Sequence, residues 1–83
     1  MIEEILRKAK PRHLETERLL ITAHHATILV EQHEAAFRYI TMSPLMKRTH
    51  KKTGFQSYKD AIQAARQMAY ESYGGVIWEQ RLV

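Results

Sequence analysis

Between Pro44 and Gly54 the chain carries Lys47, Arg48, His50, Lys51 and Lys52, its densest run of cations. Clustered ammonium and guanidinium groups are what phosphate binding needs, because they displace counterions condensed on a nucleic-acid backbone and weaken as salt rises. An acidic protein surface selects the same groups. Gly54 and the free N–H groups opening a following helix would add an anion site beside the cluster. Lys59 and Arg66, on the polar side of that helix, extend the charge along it. Tyr70 is the helix aromatic expected to be exposed, and such aromatics beside arginine anchor interfaces. Lys47, Arg48, His50, Lys51, Lys52, Lys59, Arg66 and Tyr70 are thus the candidate contacts to a partner or to phosphate. The plainer alternative is a solvated basic loop that keeps a small domain from associating. Arg7, Lys8, Lys10, Arg12 and His13 form a second basic cluster, which widens the footprint only if folding brings it alongside.

Other chemistry is poorly supported. His24-His25 followed by His33 is not a metal-ligand spacing, and neighbours on a strand point to opposite faces. With no cysteine in the chain, Glu31 and Glu34 would have to complete any site. Turn or surface histidines are the simpler reading, and neither metal nor cofactor is expected. Ser43, Ser57 and Ser72 stand in no triad-like context, so the expectation is a protein that is not an enzyme.

The element that must position the candidates is a helix over Ser57–Tyr73. Tyr58, Ala61, Ile62, Ala65, Met68, Ala69 and Ser72 fall on one side at steps of three and four. Lys59, Asp60, Gln63, Arg66, Gln67 and Glu71 take the other. Ser57 is placed to accept from the N–H of Asp60, whose carboxylate lies near the positive end of the helix dipole. Gly74-Gly75 supply the left-handed backbone that ends it. Upstream, Leu19–Met42 is rich in β-branched and aromatic residues. It reads as three strands, about 19–23, 26–32 and 35–42, with turns around His24-His25 and His33-Glu34. A single helix over 15–34 is the rival, opposed by Ile21, Thr22, Thr27, Ile28 and Val30. Val76–Val83 reads as a last strand, with Val76, Trp78 and Leu82 on one face and Ile77, Glu79, Arg81 and Val83 on the other. Phe55, Tyr58 and Trp78 are assigned to the core. Tyr39 and Phe37 share a strand face that a single helix would not fully cover, and that face is a candidate partner or dimer surface.

Ile2, Ile5, Leu6 and Ala9 mark a short helix that Pro11 ends. The expected fold is α+β over a single domain, 1–83: a three-to-four-stranded, mainly antiparallel sheet packed by one long helix, with a short N-terminal helix, in the order α-β-β-β-α-β. Eighty-three residues give a core small enough that a partner or self-association would add useful stability. A formal net charge of +4 leans towards acidic partners. No apolar run approaches the roughly 20 residues of a membrane span, and the acidic start is unlike a signal peptide. A cytoplasmic location and no membrane partner are expected.

Two resemblances follow from these residues. Lys51-Lys52 before a helix carrying Ala61, Ala64 and Ala65 resembles the double-stranded-RNA-binding domain. That family sets its lysines at the helix N-terminus, whereas Gly54, Phe55 and Gln56 intervene here. The run Phe55-x-Ser57-x-x-x-Ala61-Ile62-x-x-Ala65-Arg66-x-x-Ala69, then glycines and Val76-Ile77, resembles the helix-and-strand half of small phage and bacterial sheet-plus-helix accessory proteins, some anti-CRISPR proteins among them. This resemblance implies a small inhibitor or binding protein docking on a protein or nucleoprotein complex, such as a nucleic-acid-processing defence complex, and it transfers no site residue. The alternative is a DNA- or RNA-binding domain contacting phosphates through the 47–52 loop. A homodimeric module is the third class.

Overall fold

The computed structural model describes residues 17–44 and 48–82. The expected N-terminal helix and Lys47 lie outside them. Five strands and one helix follow in the order β1 (Arg18–Ala23), β2 (Thr27–His33), β3 (Ala36–Ser43), β4 (Arg48–Phe55), α1 (Tyr58–Ser72) and β5 (Val76–Leu82). Each of the first three strands lies within about a residue of its expected bounds, and the rival helix over 15–34 does not form. The sheet order is β4-β3-β2-β1-β5 and every neighbouring pair is antiparallel. The helix therefore carries the chain across one face of a four-strand meander, from the β4 edge to the opposite edge.

The fifth strand corrects the expected count. The stretch 47–52, read as a basic loop, is from Arg48 onward part of β4: RTHKKTGF shows no apolar alternation, yet it pairs with β3 from Ser43↔Arg48 to Phe37↔Phe55. A strand at the sheet edge needs no apolar face, only a neighbour for one row of backbone groups, and lysines are common on such edges. Between Tyr39↔Lys52 and Phe37↔Phe55, β4 holds one residue more than β3. Gly54, at φ +89, lies within this bulge, where a left-handed conformation is least costly for glycine. The bulge returns Phe55 to the helix side, where its ring stacks on Tyr39 at 5.9 Å.

Alternation along the strands aims Leu19, Ile21, Ile28, Val30, Tyr39 and Thr41 at the helix, and all are buried. From the helix side come Ala61, Ala65 and Ala69, fully buried at steps of four. Small side chains let the helix axis lie close to the sheet, while Ile62, Ala64 and Met68 pack against the rim of the core. Ser57 caps as expected, its hydroxyl accepting from the N–H of Asp60 at 3.0 Å. Ser72, assigned to the packed side, is exposed, because the helix ends there and the backbone turns away: the N–H groups of Tyr73 and Gly75 both donate to the Ala69 carbonyl.

The far end is held by loop-to-loop bonds. His24 N–H donates to the Gly75 carbonyl at 3.2 Å and His25 N–H to the Tyr73 carbonyl at 3.1 Å. Gly74, at φ +82, sits against this loop; a Cβ there would lie 3.0 Å from the His24 Cβ. Beyond this junction β5 carries a bulge opposite Thr22 and Ala23. Ala23 pairs with Val76 and Thr22 with Trp78, leaving Ile77 as the extra residue. Val76 thus packs against the core while Trp78 faces the other way, which separates two residues expected on one face.

Candidate docking surface and basic edge

Strand pairing divides the basic run. His50 lies opposite Thr41 and Lys52 opposite Tyr39, on the helix side; Lys51 lies opposite Ile40, on the other. Arg48 begins the strand opposite Ser43. Thr49, His50, Lys51, Lys52 and Thr53 are all exposed, so β4 presents cations to both sides of the sheet edge. Lys52 Nζ lies 5.8 Å from the Phe55 ring centroid, within cation–π reach. It also borders a depression of about 200 Å³ lined by Tyr39, Ala64, Gln67, Met68 and Glu71.

The helical candidates lie elsewhere. Arg66 reaches β5, where its Nε and Nη2 donate to the two Glu79 carboxylate oxygens at 2.6 Å each. Spacings of seven and four put Lys59 and Tyr70 on that same helix flank, and Tyr70 is 72% exposed beside Gly75. The Gln67–Glu71 flank instead faces Lys52. The folded chain thus brings Arg48, His50, Lys51 and Lys52 together on one edge, and places Lys59, Arg66 and Tyr70 above the opposite one. Arg66 is engaged by a carboxylate. That contact raises its pKa, chiefly through the hydrogen bond to Glu79, and the reciprocal bond holds the Glu79 carboxyl below its usual range.

The face away from the helix was missed in the sequence. Across the strands Leu20, Leu29 and Ile40 form a half-buried apolar row between Gln80 and Lys51. A second row runs Trp78, Thr22, Thr27, Met42, Thr49, in which Trp78 is 54% and Met42 41% exposed. A third contains Glu31 and Arg38, joined across the strands by hydrogen bonds of 2.6 and 2.9 Å. Among the described residues no helix packs on this side. The open apolar face is therefore not the one bearing Phe37 and Tyr39, which lies under α1, and Trp78 is not a core residue. One signal was available: Leu19-Leu20-Ile21 and Ile28-Leu29-Val30 are apolar without interruption, as strands with two apolar faces are.

Two tyrosines on the helix side have raised pKa values. Burial is the larger cause for both, with Tyr73 adding at Tyr39 and Glu17 at Tyr58, where Arg81 opposes. The Tyr58 hydroxyl is buried without a hydrogen-bond partner among the described residues. Its ring packs 5.9 Å from Phe37, so its apolar body has the larger part in fixing the helix start. His24 and His25 are exposed and border a cavity of about 240 Å³ with Thr22, Thr27 and Pro44. Among the described residues no three His, Cys, Asp or Glu side chains are placed to hold a metal ion, and no helix is long and apolar enough to cross a membrane.

Among the described residues, fold and surface together define an α+β layer with one face under a helix, one face left open, and a cationic edge. Compared with protein-family models, curated proteins and solved structures, the chain matches none.

Proposed function

We propose that this protein is a non-enzymatic binding protein that docks on a protein or nucleoprotein partner through the open face of its sheet. The observation that supports this reading is the exposed pair Trp78 and Met42, flanking the Leu20–Leu29–Ile40 row, with Lys51 of β4 at its margin. An apolar centre with a charged rim is how protein interfaces are built, and tryptophan is the residue most often found at their energetic centre. Lys51 on this face, with His50 and Lys52 along the same edge on the other side of the sheet, suits an acidic or nucleoprotein surface, which accords with an inhibitor of a nucleic-acid-processing complex.

Direct phosphate binding is the second reading, favoured by the exposed His50, Lys51 and Lys52 on β4. Capture from host lysate, with and without nuclease, separates the two when run on Trp78→Asp and on the paired Lys51→Glu, Lys52→Glu variant. Docking predicts nuclease-resistant recovery of one complex, lost with Trp78→Asp. Recovery of bulk nucleic acid that nuclease or the lysine variant abolishes, and Trp78→Asp leaves intact, overturns it. Phosphate binding would also fall steeply with salt.

A further inference from the structure

The β5 edge carries an arrangement of residues that goes beyond the docking reading and does not depend on it. In the described residues β5 pairs on one side only, with β1, so its other row of N–H and C=O groups is open to a further strand. The Ile77 bulge leaves Trp78–Leu82 as the regular part of this edge. Suppose a second copy of the strand runs antiparallel about a two-fold axis through Gln80. Trp78 then faces Leu82 of the second copy and Leu82 faces its Trp78, both on the open side of the sheet. Glu79 faces Arg81 and Arg81 faces Glu79 on the helix side, while Gln80 meets Gln80 at the axis. Each cross-strand pair is apolar with apolar, opposite charge with opposite charge, or amide with amide, the combinations that stabilise neighbouring strands.

The other edge fails the same test. About Lys51, β4 would place Lys51 against Lys51 and His50 against Lys52. About His50 it would place Arg48 against Lys52. About Thr49 it would place Arg48 against His50, about Lys52 it would place Lys52 against itself, and about Thr53 it would place Lys52 against Gly54 and Lys51 against Phe55; none pairs opposite charges or two apolar side chains. We infer that the protein forms a two-fold symmetric dimer by antiparallel pairing of β5 with β5, joining two five-stranded sheets into one of ten strands. An isologous contact of this kind needs a surface complementary to itself, and Trp78–Leu82 is one. The Glu79 carboxylate, already accepting from Arg66 at 2.6 Å, retains lone pairs for a second guanidinium.

Sedimentation equilibrium of the full chain from micromolar to millimolar concentration tests this. Wild type is expected to rise from the 9.8 kDa chain mass to twice that value. Gln80→Lys changes an exposed residue and sets two ammonium groups together at the axis, so it should weaken the dimer at least about tenfold. Arg81→Glu alone and Glu79→Lys alone should each do the same, and an equimolar mixture of these two should recover association, because both charge pairs are then opposite. Circular dichroism confirms that each variant is folded; if Glu79→Lys is not, Gln80→Lys and Arg81→Glu carry the test. A wild type that keeps the single-chain mass at millimolar concentration overturns the inference, as does a dimer that neither Gln80→Lys nor Arg81→Glu weakens.

Discussion

The two edges of this sheet face the same hazard and answer it differently. An edge strand presents unpaired backbone to any neighbour. On β4, exposed Lys51 and Lys52 repel a second copy in the central registers. On β5 the charges alternate in sign around Gln80 and match themselves when reversed. They differ in anchorage too. β4 is tied to the core through Phe55 stacked on Tyr39, whereas β5 keeps Val76 inward and ties Glu79 to Arg66, leaving Ile77 and Trp78 more than half exposed. Charge composition says little about how an edge behaves; charge order along the strand says much.

The comparison breaks most readily at the core beneath each edge. Tyr39→Ala removes a fully buried ring that supports β4 and should cost about 3–5 kcal/mol in chemical denaturation. Trp78→Ala in the β5 half should cost under about 1 kcal/mol at concentrations where the chain is a single copy, because over half of that side chain is already in water. Equal losses would mean that Trp78 is packed after all. The glycines give a second, smaller contrast. Gly74→Ala meets both a positive φ and a His24 contact at 3.0 Å and should cost about 1–3 kcal/mol. Gly54→Ala has open space at the same sign of φ and should cost about 1 kcal/mol. Thermal unfolding of the two side by side reads the difference.

Smallest is the ion pair over β5. Glu79 has a depressed pKa when folded, so its stabilisation is present above the unfolded carboxyl value near about 4.3 and is lost as pH falls through the lower folded value. Arg66 is nearly half exposed, which limits the pair to about 1 kcal/mol or less at pH 7. Glu79→Gln should remove that small increment at neutral pH and flatten the stability profile on the acid side. An unchanged acid limb would show that Glu79 and Arg66 act independently in solution.

Much of the core layer was legible in the sequence. The β-branched and aromatic runs over 19–42 and the Ala61–Ala65–Ala69 stripe are local patterns, legible from strand propensity and from helix geometry alone. The Ser57 cap needs only three residues of spacing. The fourth strand was not legible, since RTHKKTGF becomes extended through hydrogen bonds to β3 and not through its own propensity. Nor was the position of Trp78: one bulge residue, Ile77, reverses which face it occupies, and that bulge arises where β5 meets the turn of β1.

The candidate cations divide along the same line. Their types and local density are properties of the chain, and they define what chemistry is available. Whether Lys52 and Arg66 act together depends on the helix crossing from one edge to the other, which sets them on opposite flanks and gives Arg66 to Glu79. Local pattern determined which surfaces are apolar and which residues carry charge. Only the pairing of distant strands decided which apolar surface lies away from the helix among the described residues, because a helix buries one face of a sheet and backbone hydrogen bonds choose the neighbours at each edge.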